Sequence, residues 1–129
     1  MVTNQDGLPV YFSLTGGEVH DITQAKLLLR GLKAKALLAD KGYVGKPLRR
    51  YLQRKNIQPV IPPRTNAKHP CLYDRELYKQ RNRIERCFNK LKHFRRLATR
   101  FDRNDAHFKA SITLASIALW LRYLYVDSA

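Results

Sequence analysis

Tyr78, Arg81, Glu85 and Lys92 follow one another at intervals of three, four and seven residues inside the basic segment RELYKQRNRIERCFNKLKHFRR. On a helix turning about 100° per residue the four fall within roughly 60° of one another and share one polar face. Upstream, Asp40 stands alone among apolar and basic neighbours in LLADKGY. A pair of carboxylates brought together from a strand end and a helix can hold hard divalent cations through oxygen, leaving coordination positions for water and phosphate oxygens. Two such ions activate a nucleophile and stabilise the leaving oxygen of an in-line displacement, so the chemistry that suits Asp40 and Glu85 is phosphodiester cleavage or transfer. Arg81, one turn before Glu85, and Lys92, two turns after it, favour the ionised carboxylate and reach for substrate phosphates. Tyr78 offers an aromatic face and a hydroxyl to a base or to the backbone.

A plainer reading stands beside this one. Arg and Glu four residues apart on a helix commonly form a surface ion pair worth a few tenths of a kcal/mol. Asp40 would also serve simply to cap a turn at Gly42. Composition and spacing leave both a metal-dependent nuclease-like site and a passive nucleic-acid binder open.

The elements that must position these residues follow from local signals. Asp6-Gly7 is a turn dipeptide, and Pro9 to Leu14 (PVYFSL) reads as a strand ending at Gly16-Gly17. Met1 to Gln5 is too short to be its proper partner strand. Asp21, with Gln24 three residues on, has the form of a capping box opening an amphipathic helix through Leu27, Leu28 and Leu29 towards Gly31, which gives His20 and Asp21 a structural role. Ala36 to Ala39 is a short apolar run, a buried strand that delivers Asp40 at its C-terminal edge, where sites in α/β proteins sit. Pro47 in a helix first turn, with Leu48, Tyr51 and Leu52, predicts a second helix closed by Lys55-Asn56, followed by a strand at Pro59 to Ile61. One long helix is expected from Asp74 to about Leu97, with Ile84, Cys87, Phe88, Leu91 and Phe94 on its core stripe. A last apolar helix is expected from Ala106 to Val126. Strand, helix, strand, helix, strand and two helices is an α/β order, a mixed sheet packed by helices.

The 129 residues carry 25 Lys and Arg against 10 Asp and Glu, a net charge of +15. Residues 64–103 alone hold 13 of these cations and four acids. Such an excess repels itself unless a polyanion neutralises it, which points to nucleic acid rather than a solvated basic face. Cys71 and Cys87 lack zinc-ligand spacing and read as reduced structural thiols of a cytosolic protein. The N-terminus has no export signal, and the longest apolar run, Ile112 to Leu121, is about half a membrane span, so no membrane is expected.

These stretches together resemble the C-terminal part of bacterial insertion-sequence transposases of the DDE class, particularly the family named after insertion sequence five. The likeness runs from GLPVYFSLTGGEVHD through LLADKGY, QPVIPPR and LYKQRNRIERCFNKLKHFRRLATRFDR into the last helix. That family's signature of Tyr, two residues, Arg, three residues, Glu, six residues and Lys is met without a gap by Tyr78, Arg81, Glu85 and Lys92. The resemblance implies Asp40 and Glu85 as catalytic, metal-binding carboxylates and Tyr78, Arg81 and Lys92 as DNA contacts. It implies a ribonuclease-H-like core using Mg²⁺ or Mn²⁺ to cut transposon ends and join them to target DNA. The expected setting is cytoplasmic and bacterial, nucleoid-associated when DNA is bound, with a homo-oligomer once the protein is complete.

One departure accompanies the match. The family's first catalytic Asp lies on the first central strand, upstream of the stretch aligned with GLPV, and Asp6 is no substitute, because Asp-Gly in a turn has a sufficient local explanation. The expectation is therefore a partial ribonuclease-H-like fold over residues 1–129, a single incomplete catalytic domain, with 74–126 forming two C-terminal helices, the first of them basic. Such a chain would be inert alone and completed by an N-terminal transposase segment in cis or in trans, or would be a decayed copy. The alternative is a non-catalytic DNA-binding remnant or regulator of an intact transposase. An RNA-binding role fits the charge but leaves Asp40 and Glu85 without a purpose.

Overall fold

The computed structural model describes residues 1–16, 20–98 and 104–126, with the side chains of 21 and 95–98 left aside. The chain divides into two compact units, one formed by Met1–Leu14 with Asn82–Ala129 and the other by Thr15–Arg81. Among the described residues the strands form two separate two-stranded sheets, one in each unit, where the sequence had suggested one mixed sheet.

In the unit built from both chain ends, β1 (Val2–Thr3) pairs antiparallel with β2 (Pro9–Tyr11). The N-terminal residues thus do supply a partner strand, because Asn4 closes the hairpin with its side chain. Asn4 Oδ1 accepts from the amides of Asp6 at 3.0 Å and Leu8 at 2.9 Å. Gly7 takes φ +77°, a region costly for a residue with a Cβ, and its own amide donates to Asn4 O at 3.1 Å. β2 stops at Tyr11 instead of continuing to Leu14, and Gly17 lies outside the described residues.

The hairpin packs on α4 (Asn82–Ala98), and α4 packs on α5 (Asp105–Val126). Leu8, Cys87, Ala115 and Leu119 form the buried centre. Trp120 Nε1 donates to Pro9 O at 2.8 Å, tying the last helix to the first hairpin. Burial pushes the Cys87 thiol above its ordinary value of 9.0, against the smaller opposing pull of Lys90 and the N-terminal ammonium. Cys71, by contrast, is exposed and takes no part in a core. Along α5, Leu114, Ile117, Leu121 and Leu124 remain exposed.

In the second unit, α1 (Asp21–Leu28) has His20 rather than Asp21 as its N-cap residue, and no side chain caps it. Thr23 supplies the local closure, its amide and hydroxyl both donating to His20 O at 3.0 and 2.8 Å. β3 (Ala36–Leu38), α2 (Lys46–Arg54) and β4 (Gln58–Val60) form a strand, helix and parallel strand in the register Ala36–Gln58, Leu37–Pro59 and Leu38–Val60. Pro47 starts α2 as its sequence predicts, and Asn56 ends the segment at φ +54°. α2 buries Leu48 and Leu52, and with Leu29, Ile57, Val60 and Ile61 these form the unit's apolar centre. Each fully buried leucine contributes about 1.5–3 kcal/mol of transfer free energy. β3 is half-buried along its length, not fully buried as its apolar run suggested.

The long helix expected over 74–97 is interrupted. α3 (Arg75–Tyr78) is followed by a 3₁₀ turn, Lys79–Arg81, before α4 begins. Asp74 caps α3, its Oδ1 accepting from the Leu77 amide at 2.9 Å.

Candidate active site

Asp40 follows β3 by two residues and is exposed. It caps a 3₁₀ turn over Lys41–Tyr43, with Oδ1 accepting from the Gly42 amide at 2.8 Å. This is the local role a plain reading assigns, and it also fixes the carboxylate: one oxygen is aimed by the main chain while other lone pairs remain to be used. Gly42 makes that geometry possible, since a Cβ there would stand 2.9 Å from Asp40 Oδ1. Sequence reasoning used Gly42 only as a turn signal. The spacing Asp-x-Gly was the sign that the glycine serves the carboxylate.

Glu85 sits in the first turn of α4 and is exposed. The positive end of the helix dipole favours an ionised carboxylate in that position. Lys92 lies seven residues on, two turns along the same face of α4, and is exposed.

Tyr78 and Arg81 belong to the other unit, at the end of α3 and of the 3₁₀ turn. The continuous α-helical register that would align them with Glu85 and Lys92 is broken at Lys79–Arg81. Tyr78 is half-buried and holds two ring contacts: Tyr73 meets it edge-on at 5.6 Å between centroids, and the Arg81 guanidinium carbon lies 5.8 Å from its centre. The Tyr78 ring thus orients Arg81 through a cation–π contact.

Asp40 and Glu85 carry the hard anionic oxygen that Mg²⁺ or Mn²⁺ takes, so the donor chemistry fits such a cation. Asp40 lies in the unit of 15–81 and Glu85 in the unit built from the chain ends. Among the described residues no three His, Cys, Asp or Glu side chains gather into one group.

Comparison with known proteins adds an independent line. Residues 1–121 match the family described as Transposase DDE domain. The "Putative transposase for insertion sequence element IS6501" of Brucella ovis is 36% identical over 125 residues, covering 94% of this chain and 95% of that protein. The "Putative transposase for insertion sequence element IS402" of Burkholderia cepacia is 37% identical over 120 residues, covering 83% of this chain and 54% of that protein. The chain therefore spans nearly all of the first relative and about half of the second. No solved structure matches it significantly.

Proposed function

The chain belongs to the transposase DDE-domain family, and on that premise we propose that it serves DNA transposition as the part of an insertion-sequence transposase that carries Asp40 and Glu85. The observation that supports this most directly is the Asp40 turn: a single exposed carboxylate at the end of a parallel strand, aimed by the Gly42 amide. Asp40 and Glu85 are the residues that would hold Mg²⁺ or Mn²⁺. When bound, such a cation would supply the charge that stabilises the attacking and leaving oxygens of phosphodiester cleavage and strand transfer. Arg81, oriented by Tyr78, and Lys92, two turns along α4 from Glu85, neutralise backbone phosphates and hold the strand in register. The partners are transposon-end and target DNA, and a transposase segment bearing a further catalytic Asp, in cis or in trans, completes the carboxylate set.

Cleavage of an insertion-sequence end in Mg²⁺, assayed with and without that segment, tests the reading. Activity is expected only when both are present and is lost in Asp40→Ala and in Glu85→Ala. Mn²⁺ binding to the purified chain, followed by electron paramagnetic resonance, gives a readout apart from activity and should weaken in the same variants. Undiminished cleavage by either variant would sink the assignment.

The charge of +15 favours a second reading, a DNA-binding regulator of an intact transposase. It predicts affinity that falls steeply with salt and is indifferent to Asp40 and Glu85.

A further inference from the structure

At about 100° per residue, α4 carries three faces. Ile84, Cys87 and Leu91 make one, Glu85 and Lys92 a second, and Arg83, Arg86, Lys90 and His93 a third, roughly 130° round the helix from the second. That third face is one wall of a groove of about 710 Å³. The hairpin turn and the end of α5 form the other walls, and the whole groove lies within the unit built from the chain ends.

Its lining divides by chemistry. Buried Gly7, Leu8 and Leu119 make an apolar floor. Arg122 of α5 adds a fifth basic side chain to the four from α4. Two half-buried rings, Phe94 and Tyr123, stand among these cations, and Trp120 meets Tyr123 edge-on at 6.5 Å. Asp6 is the single acid among the described residues of the lining, and its carboxylate takes a hydrogen bond from Asn4 Nδ2 at 3.4 Å. The close seat of the turn depends on Gly7, where a Cβ would come within 3.3 Å of Arg83 O.

Four permanent cations gathered over an apolar floor call for an anion, and the rings call for a flat apolar group on the same ligand. An unpaired nucleotide has both. The volume lies in the range of pockets that enclose one compact ligand, which suits one or two nucleotides and not a stacked duplex. We propose that this groove binds unpaired DNA, with backbone phosphates on Arg86, Lys90 and Arg122 and a base against Tyr123 and Phe94. The inference rests on DNA being the partner, as proposed above, but uses a face of α4 other than the one bearing Glu85.

The test is fluorescence anisotropy of the whole chain with a labelled oligothymidylate of about ten nucleotides, within the footprint common for single-strand binders. Arg86 and Lys90 are exposed, so the double variant R86A/K90A keeps the packed centre and should lower the salt slope by about 1.4, two phosphates at about 0.7 each for single strands. Tyr123→Leu should weaken binding about 5- to 150-fold, and Tyr123→Phe should restore it, because a stack needs the ring and not the hydroxyl. Cross-linking by an iodouracil-substituted oligonucleotide should mark 83–94 or 119–123. The proposal is overturned if R86A/K90A lowers the slope no more than K26A/K55A, two cations of the unit of 15–81 that do not line the groove, or if cross-links fall only elsewhere. It is overturned too if a duplex of equal length binds as tightly and shows the same losses. Mn²⁺ binding at Asp40 and Glu85 is measured separately, so failure of that site and failure of the groove are told apart.

Discussion

Replacing Gly42 with alanine should carry a destabilising component only through Asp40. The backbone at 42 lies outside the left-handed region, so alanine is conformationally acceptable and by itself should stabilise by about 0.4–1 kcal/mol through the unfolded chain. Against this, the new Cβ would stand 2.9 Å from Asp40 Oδ1, and the carboxylate must swing away from the Gly42 amide it now holds at 2.8 Å. Losing that capping hydrogen bond costs about 1 kcal/mol. Gly42→Ala should therefore be close to neutral in the native background and stabilising by about 0.4–1 kcal/mol in an Asp40→Ala background, where nothing collides. The coupling between the two sites is then about 1 kcal/mol, measurable by urea denaturation of the four chains in a double-mutant cycle. Additivity within about 0.3 kcal/mol would refute the view that Gly42 is what lets the carboxylate sit where it does. Mn²⁺ titration of the same chains extends the test, since Gly42→Ala should weaken binding while Asp40 is still present.

Gly7→Ala should destabilise by about 1–2 kcal/mol, read from the urea midpoint, because φ +77° is unfavourable for alanine and Arg83 O stands close by. Trp120→Phe keeps the ring but leaves Pro9 O without its 2.8 Å partner, a loss of about 1 kcal/mol in the same assay. In the folded chain a colorimetric thiol reagent should modify exposed Cys71 quickly and buried Cys87 slowly, with both reacting at once in urea. Because the folded state holds Cys87 protonated above its ordinary value of 9.0, its contribution to stability is complete below pH 9.0 and is lost as pH rises through the raised value. The slope of stability against pH above 9.0 should thus be shallower in Cys87→Ala.

Much of the path to Asp40 was legible because its signals are local. The apolar run before Asp40, the proline opening α2 and the apolar residues of α5 each specify an element within a few turns of chain. Of the first hairpin the Asp6-Gly7 turn and the strand from Pro9 were legible, but its partner Val2–Thr3 was not, because the closure depends on one asparagine side chain bonding two amides that no composition rule singles out. The break at Lys79–Arg81 was hidden for another reason: no proline or glycine marks it, and the spacing of Tyr78, Arg81, Glu85 and Lys92 is the same whether or not a 3₁₀ turn intervenes. Both cysteines read as structural thiols, but only Cys87, on the stripe expected to face the core, is buried, and Cys71 is exposed. Residues 6–8, 83–94 and 119–123 converge on the groove only through tertiary packing, so their charges read as part of a general basic excess.

The hydrogen bond from Trp120 to Pro9 joins residues 111 positions apart, whereas the unit of 15–81 is contiguous. During synthesis the contiguous unit can close as soon as its last residues emerge, but the first fourteen must wait for the helix that completes them. At about 5–20 residues per second that delay is roughly 5 to 20 s. Over that interval two strands of two and three residues are too short to persist alone, and Leu8 has no packed surroundings. The order of assembly is therefore the unit of 15–81 first and the unit of 1–14 with 82–129 last, and a ribosome stalled before Trp120 would carry a finished unit of 15–81 with residues 1–14 still unpacked, open to proteases at positions the completed unit protects.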